Sequence, residues 1–437
     1  MDFSKDLICD NLSVADGVLH FAGQSTAALA QQYGTPLYLM DEDRIRNRAR
    51  VYCDALRECF GDKGHAIYAS KACAFKRMYG IMAEEGLDVD VVSCGEIASA
   101  YAAGFPMERV HFHSNNKTDA DIAYALDHGV TRFVVDHPEE LTAINAVVGE
   151  RGVIPTVILR ITPGIDCHTY EAVNTGKVDS KFGSAIVTGD ALRITQQALS
   201  LPHVRLEGFH CHIGSQVFDS SVYIATVDVM VAFLKDIKDT CGYEAEVLDI
   251  GGGYGVRYTA ADPVIDIAAN IRQVADRMKE QAAAVGIPMP HVYMEPGRSI
   301  VADAGLTLYT VGAVKKIEGY KNYVSVDGGM TDNPRYALYQ SEYTVLPAAR
   351  MDAPRDMVAD VVGRCCESGD IIQPQVSMPS DMVRGDLVAV LTTGAYNYSM
   401  ASNYNRIPRP PVVMLRDGES YVAVRRETYD DIIALDE

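Results

Sequence analysis

The stretch AIYASKA ends an apolar run on Lys71. A lone lysine at a strand end usually leans out to water. Held in a cleft, the same amine can attack a carbonyl carbon. Further along, HCHIGS supplies His210, His212 and Ser215, two imidazoles and a hydroxyl. Gly251, Gly252 and Gly253 stand in a row, and a backbone without Cβ atoms can aim its N–H groups at an anion from close range. The segment EPGR places Glu295 three residues before Arg298. A guanidinium matches phosphate geometry, while a carboxylate can hold a proton or a cationic ring. Chemistry at these groups requires that the fold gather them.

Eight short apolar, β-branched-rich runs do this in principle: AIYAS (66–70), DVDVVS (88–93), VHFHS (110–114), RFVVD (132–136), TVILRIT (156–162), RLEGFHCHI (205–213), EVLDIG (246–251) and HVYMEP (291–296). Segments with helical spacing lie between them, such as Gly95–Ala103 and Ile267–Val285. Strands alternating with helices imply a parallel sheet. Eight units fit a (β/α)8 TIM-type barrel of about 250 residues, whose chemistry sits at the carboxyl ends of its strands. Lys71 follows the first run, His210, His212 and Ser215 the sixth, the glycine triplet the seventh, and Glu295 and Arg298 the eighth. The alternative, an open doubly wound sheet, expects a GxGxxG loop after its first strand, where this chain has Lys71-Ala72-Cys73.

Beyond about Ser299 the rhythm changes. LTLYTVGAVKKI (306–317), YVSVDGG (323–329), DMVADVVG (356–363), DLVAVLTTG (386–394) and PVVMLRDGESYVAV (411–424) are strand-like. Asp417-Gly418 between apolar runs signals a hairpin. The expectation is a (β/α)8 barrel over 36–300 and a C-terminal antiparallel β-sandwich or β-barrel domain over 301–437. Residues 1–35 are expected to join the latter, and a short helix over 428–435 to close the chain.

The 437 residues carry a net charge of -20, which argues against nucleic acid or anionic lipid as partners. The 10 cysteines form no CxxC pair and no zinc-ligand pattern, so no metal is expected. Scattered cysteines suit a reducing, cytoplasmic location. No window approaches the roughly 18 consecutive apolar residues of a membrane span.

The gathered groups point to pyridoxal 5'-phosphate. That cofactor needs a lysine for its Schiff base, a phosphate cradle and a partner for its ring nitrogen. Lys71, the triplet with Arg298, and Glu295 supply those three.

Ten stretches in order now carry a resemblance: YGTPLYLMDEDRIR (33–46), YASKA (68–72), LRITPGID (159–166), TGKVDSKFG (175–183), HCHIGSQV (210–217), DIGGGYG (249–255), MEPGRSIVADAG (294–305), RYALY (335–339), CESGD (366–370) and GAYNYSMASNYN (394–405). The chain resembles the diaminopimelate decarboxylases, in the fold-type III, alanine-racemase-like group of pyridoxal-phosphate enzymes. The resemblance implies decarboxylation of meso-2,6-diaminopimelate to L-lysine and carbon dioxide, the last step of lysine biosynthesis. It implies that Lys71 holds the cofactor covalently and that His212 stacks on its ring. Ser215, Gly251, Gly252, Gly253 and Gly297 hold cofactor groups, and Glu295 meets the ring nitrogen. Arg298 serves either phosphate or substrate. Arg335, Tyr339 and Glu367 bind substrate, and Tyr396 lies near both phosphate and substrate. Cys366 is implied as the general acid. Cys366 and Glu367 are implied to come from the partner subunit of a homodimer. The family's usual Gly-Pro step before the cysteine is replaced by Gly363-Arg364-Cys365-Cys366, and Pro334 and Tyr336 also depart from the commoner pattern. The alternatives are a sister decarboxylase of arginine, ornithine or carboxynorspermidine, a racemase, and an inactive homologue that binds a partner protein. Whether the loop around Asp179, Ser180 and Lys181 closes over substrate stays open.

Overall fold

The computed structural model describes residues 7–149, 151–165 and 180–437. Asp166 of LRITPGID, residues 175–179 of TGKVDSKFG, and with them Asp179 of the expected loop, lie outside the described residues. The chain divides into two units. One comprises Arg48–Gly255 and Ile265–Ser299, the other Met1–Asn47, Val256–Val264 and Ile300–Glu437.

The first unit is the barrel. Its strands are β1 (Gly64–Ala69), β2 (Asp88–Val91), β3 (Val110–Phe112), β4 (Arg132–Val135), β5 (Thr156–Thr162), β6 (Arg205–His210), β7 (Val247–Asp249) and β8 (His291–Met294). All pair in parallel, and Val292 of β8 opposite Gly64 of β1 closes the ring. Short edge strand Ser184–Ala185 adds to β5. Each expected run overlaps one of the eight strands, the first strand beginning two residues before its run, at Gly64. β-branched and aromatic residues fit a pleated surface buried on both faces, which is why these runs are nearly continuous in apolar character.

The intervening helices start and stop where local chemistry directs. Asp266 caps Ile267–Val285 by accepting from Ala269 N at 2.9 Å, and Gly286 ends it at φ 71°. Ser93 caps Cys94–Ala102 by accepting from Glu96 N at 3.2 Å. Inside the barrel, Ile67, Val134, Ile158, Val247 and Tyr293 form a buried apolar cluster. Each such side chain contributes about 1.5–3 kcal/mol on burial.

The second unit is built on the long strand Gly305–Ile317. This strand pairs antiparallel with Lys321–Val326, Leu387–Leu391 and Leu37–Asp41. The expectation of a purely antiparallel domain is corrected: its sheet is mixed. Val412–Leu415 runs parallel to Tyr38–Asp41, and Tyr323–Ser325 parallel to Asp360–Val362. The first of these parallel pairings involves a strand recruited from the N-terminal part of the chain, Leu37–Asp41, and the contact boundary of the unit lies past residue 36, at Asn47. The Asp417-Gly418 hairpin forms as expected, both residues at positive φ. Leu19 and Phe21 of the N-terminal strands share a core with Leu306, Leu308, Leu391 and Leu415. Among the described residues, no helix is long and apolar enough to cross a membrane.

Candidate active site

Side chains on one face of a strand recur every second residue. Two positions past the apolar cluster of the barrel, the same strands therefore bring Ala69, Asp136, Arg160, Asp249 and Glu295 to the carboxyl end of the inner wall. Asp90, His113 and His210 complete this rim. All three are buried, as are Asp136, Asp249 and Glu295.

Lys71 belongs to a short turn, Ser70–Ala72, directly after β1. Its Nζ lies 3.8 Å from Asp90 Oδ2, and its side chain keeps 43% of its exposure while Asp90 keeps 1%. The amine is thus turned toward a carboxylate of the barrel mouth yet remains reachable. Neither Asp90 oxygen has a hydrogen-bond partner among the described residues. Gly297 abuts this turn: a Cβ there would stand 2.9 Å from Ala69 Cβ. The glycine's identity is thus explained by close packing against the segment that carries Lys71.

Glu295 is clamped. Its Oε1 stands 2.8 Å from His113 Nε2, and its Oε2 stands 3.1 Å from His210 Nε2. Both imidazoles hold the carboxyl well below the usual carboxylate range, against the opposing effect of its burial. His210 is pushed down to about 4, chiefly by burial. Ligand atoms of His113, His210 and Glu295 lie within 4.8 Å of one another, a spacing a metal ion also accepts. Here each glutamate oxygen already faces an imidazole nitrogen.

The glycine triplet links the ends of β6, β7 and β8. A Cβ on Gly252 would lie 2.0 Å from Glu295 O, and one on Gly253, at φ 113°, would lie 2.3 Å from Gly214 O. Gly251 N donates to Asp249 Oδ1 at 2.8 Å and Gly252 N to His212 Nδ1 at 3.3 Å. Two of the three N–H groups are therefore already engaged within the turn. The second of these bonds fixes the His212 proton on Nε2. Burial, helped by the charges of Lys71 and Arg160, keeps that imidazole neutral. Arg298 is buried and donates from Nε and Nη2 to Ser215 Oγ at 3.2 and 3.0 Å. A buried guanidinium and a hydroxyl meet there, on the residue after Gly214, whose carbonyl packs against Gly253.

The second unit holds the remaining expected residues. Arg335 opens a short helix, Arg335–Tyr339, that also carries Tyr339. Its guanidinium lies 5.1 Å from the Tyr258 ring centre and donates to Tyr343 Oη at 2.9 Å and Ser341 Oγ at 3.2 Å. Among the described residues no carboxylate pairs with this buried cation. Tyr396 is half-buried at φ 61°, a strained conformation for a side chain of its size. Cys366 and Glu367 are exposed. Buried Asp370 accepts from Cys365 N at 2.7 Å and Met330 N at 2.6 Å, which pins the CESGD turn. Burial and Asp370 push the Cys365 thiol up to about 12. The turn tucks Cys365 beside Asp370 and leaves Cys366 outward.

Sequence reasoning gave no role to Asp90, His113, Asp136, Arg160 or Asp249. The available signal was a polar residue inside or just beyond an apolar run, as in DVDVV, VHFH, FVVD and VLD.

Residues 43–302 match the family model described as "Pyridoxal-dependent decarboxylase, pyridoxal binding domain". The chain is 44% identical over 420 residues to a diaminopimelate decarboxylase of Bacillus subtilis (strain 168), covering 96% of this chain and 95% of that protein. It is similar to the solved diaminopimelate decarboxylase of M. jannaschii in complex with L-lysine, at a TM-score of 0.89 and 32% identity over 98% of each chain. The Helicobacter pylori enzyme complexed with L-lysine matches at a TM-score of 0.84 and 30% identity, over 94% of this chain and 98% of that one.

Proposed function

This chain belongs to the pyridoxal-dependent decarboxylases, in the diaminopimelate decarboxylase family, and from that premise we propose its reaction and the residues that carry it. It removes carbon dioxide from meso-2,6-diaminopimelate to leave L-lysine, with pyridoxal 5'-phosphate as cofactor. The observation that carries this reading is the gathering, on one barrel rim, of a reachable lysine, a clamped carboxylate and a buried guanidinium bonded to a hydroxyl.

The residues fit the cofactor. The glycine corner is a tight backbone junction in which any Cβ would strike a neighbouring carbonyl. Beside it, Arg298 and Ser215 offer the donors that a phosphate requires. Lys71 Nζ is the one amine named on the rim, and Glu295 is an acceptor held ionised by its neighbours. When bound, the cofactor supplies an electron sink for the pair left on the substrate carbon as carbon dioxide departs.

The chain's own residues do the rest. Lys71 Nζ would be the amine that holds the cofactor's aldehyde end. Glu295 keeps negative charge against the ring nitrogen. His212 presents a neutral ring face. Arg335, caged by Tyr258 and Tyr343, receives the distal carboxylate of the substrate, with Tyr339 and Tyr396 beside that role by resemblance. A buried cation without a carboxylate partner favours an anionic group there, which disfavours ornithine or arginine as substrate. Cys366 donates a proton from Sγ, the role of a general acid. Its exposure on the CESGD turn supports presentation, with Glu367, to a second copy in a cytoplasmic homodimer.

Incubation with meso-diaminopimelate, followed by identification of the amino-acid product, tests the reading. L-lysine and carbon dioxide are expected. Faster turnover of ornithine would remove diaminopimelate as the substrate. The adjacent thiols separate cleanly: Cys366→Ala lowers kcat by about 10²–10⁴, the range for loss of a general acid. Cys365→Ala stays within a few-fold of the parent, and the reverse order would transfer the role to Cys365.

A further inference from the structure

The rim of the barrel carries more carboxyl groups than cations. Asp90, Asp136, Asp249 and Glu295 face Arg160 and Lys71, while His210 is held neutral. Buried charge in such excess is unstable unless a carboxyl keeps its proton. Asp90 lies 3.8 Å from the Lys71 amine and Asp136 lies 3.9 Å from the Arg160 guanidinium, whereas Asp249 has no cation within ion-pair distance among the described residues. Glu295 Oε2 stands 3.1 Å from His210 Nε2, while its Oε1, though 2.8 Å from His113 Nε2, has no hydrogen-bond partner among the described residues. His210 Nδ1 is buried without a partner, so its single ring proton sits on Nε2, toward Glu295. Asp249 differs. Its Oδ1 accepts one backbone N–H, from Gly251 at 2.8 Å, and its Oδ2 finds no donor among the described residues.

Asp249 and Glu295 are diagonal neighbours. Asp249 stands opposite Tyr293, and Glu295 N donates to Gly251 O at 2.8 Å, so both side chains lie on the same face of adjoining strands. On that shared face Asp249 Oδ2 and Glu295 Oε1 are both buried without a hydrogen-bond partner among the described residues. Two neighbouring buried acceptors with no donor need one proton between them.

We propose that Asp249 is a neutral carboxylic acid that donates its proton to Glu295, adding to His210 a second hydrogen-bond donor on that carboxylate. Asp249 is then a positioning residue, acting on the cofactor through Glu295. The inference rests on the reading of Glu295 as the ring-nitrogen partner. Its neutral form also agrees with the upward shift that burial and the neighbouring Glu295 impose on Asp249.

The test is infrared difference spectroscopy of the protein without cofactor, wild type against Asp249→Asn, at neutral pH. The expected result is a C=O stretch of a protonated carboxylic acid that shifts in heavy water and is absent from Asp249→Asn. If the variant instead removes only ionised-carboxylate bands, the proposal is overturned. Cofactor retention gives a second readout. Asp249→Asn keeps a donor toward Glu295 and an acceptor for Gly251, so it loses less than about threefold in affinity. Asp249→Ala loses about tenfold or more, the scale of one hydrogen bond to a charged group. Equal losses in both variants, with unchanged melting temperatures, would also overturn it. Should either variant fail to fold, carbon-13 carboxyl titration of the labelled wild type decides the same question. Failure of the wild type to take up pyridoxal phosphate would sink the functional reading and leave the infrared result to judge this one.

Discussion

The two ends of the barrel use the same residue types to opposite effect. At the amino end, Asp88 pairs with Arg109 at 3.0 Å and with His111 at 3.2 Å, while Glu207 meets Arg132 at 3.1 Å and Arg205 at 3.2 Å. His65 and His291 stack across the β8–β1 seam, with ring centres 5.6 Å apart. At the carboxyl end, Asp90 has no hydrogen-bond partner for either oxygen among the described residues, and Asp249 Oδ2 has none either. Buried polar groups in a finished protein interior are normally satisfied. An end whose charges pair internally is built for stability, whereas an end that leaves acceptors unserved is built around something it must bind. The presence of charge does not separate the two; its satisfaction does.

The largest expected effect lies at the unsatisfied end. Lys71→Ala should lower decarboxylation by about 10⁴-fold or more, the scale of losing a nucleophile, without lowering the melting temperature of the cofactor-free protein. Retained turnover would break the comparison at its centre. Glu295→Gln should lower kcat by about 10²–10³ through lost charge stabilisation, again with little change in melting. Glu207→Gln should do the reverse: it strips Arg132 and Arg205 of a partner and costs about 3 kcal/mol in denaturant unfolding, with kcat and KM retained. Loss of activity there, with the fold intact, would show that the amino end also serves catalysis.

The smallest effect concerns pH. Burial lowers the folded-state affinity of His65 and His111 for protons below that of the unfolded chain. Their contribution to stability is therefore complete above the unfolded value of 6.5 and is lost as pH falls below it toward their folded values. Melting temperatures should drop between about pH 7.5 and about pH 5.5. His111→Gln should flatten that slope while leaving kcat/KM unaltered.

Much of this architecture was legible because barrel strands are buried on both faces. TVILRIT and RFVVD announce themselves as continuous apolar, β-branched runs. The strand Ile371–Met378 escaped notice because Gln373, Pro374 and Gln375 interrupt its pattern. The parallel pairing of Val412–Leu415 with Tyr38–Asp41 was invisible, since neither segment's pattern names its partner across the length of the chain. Loop-borne groups such as Lys71, His212 and Arg298 could be singled out because an unusual residue after a strand is conspicuous, whereas Cys366 was marked only by the resemblance. Asp90, His113 and Asp249 were hidden in or beside strand runs, where one polar residue reads as a minor blemish.

The order of residues by itself determined the eight-unit barrel, its capped helices and the identity of the reactive groups, because local periodicity and capping chemistry act within a few residues. It also placed those groups after strands, on one rim. Only the closed barrel decided which carboxylate stands alone and which is clamped. Shear, register and the β8–β1 seam bring Asp249, Glu295, His113 and His210 together from distant segments, and the energy of a buried charge depends on those neighbours rather than on its own sequence context.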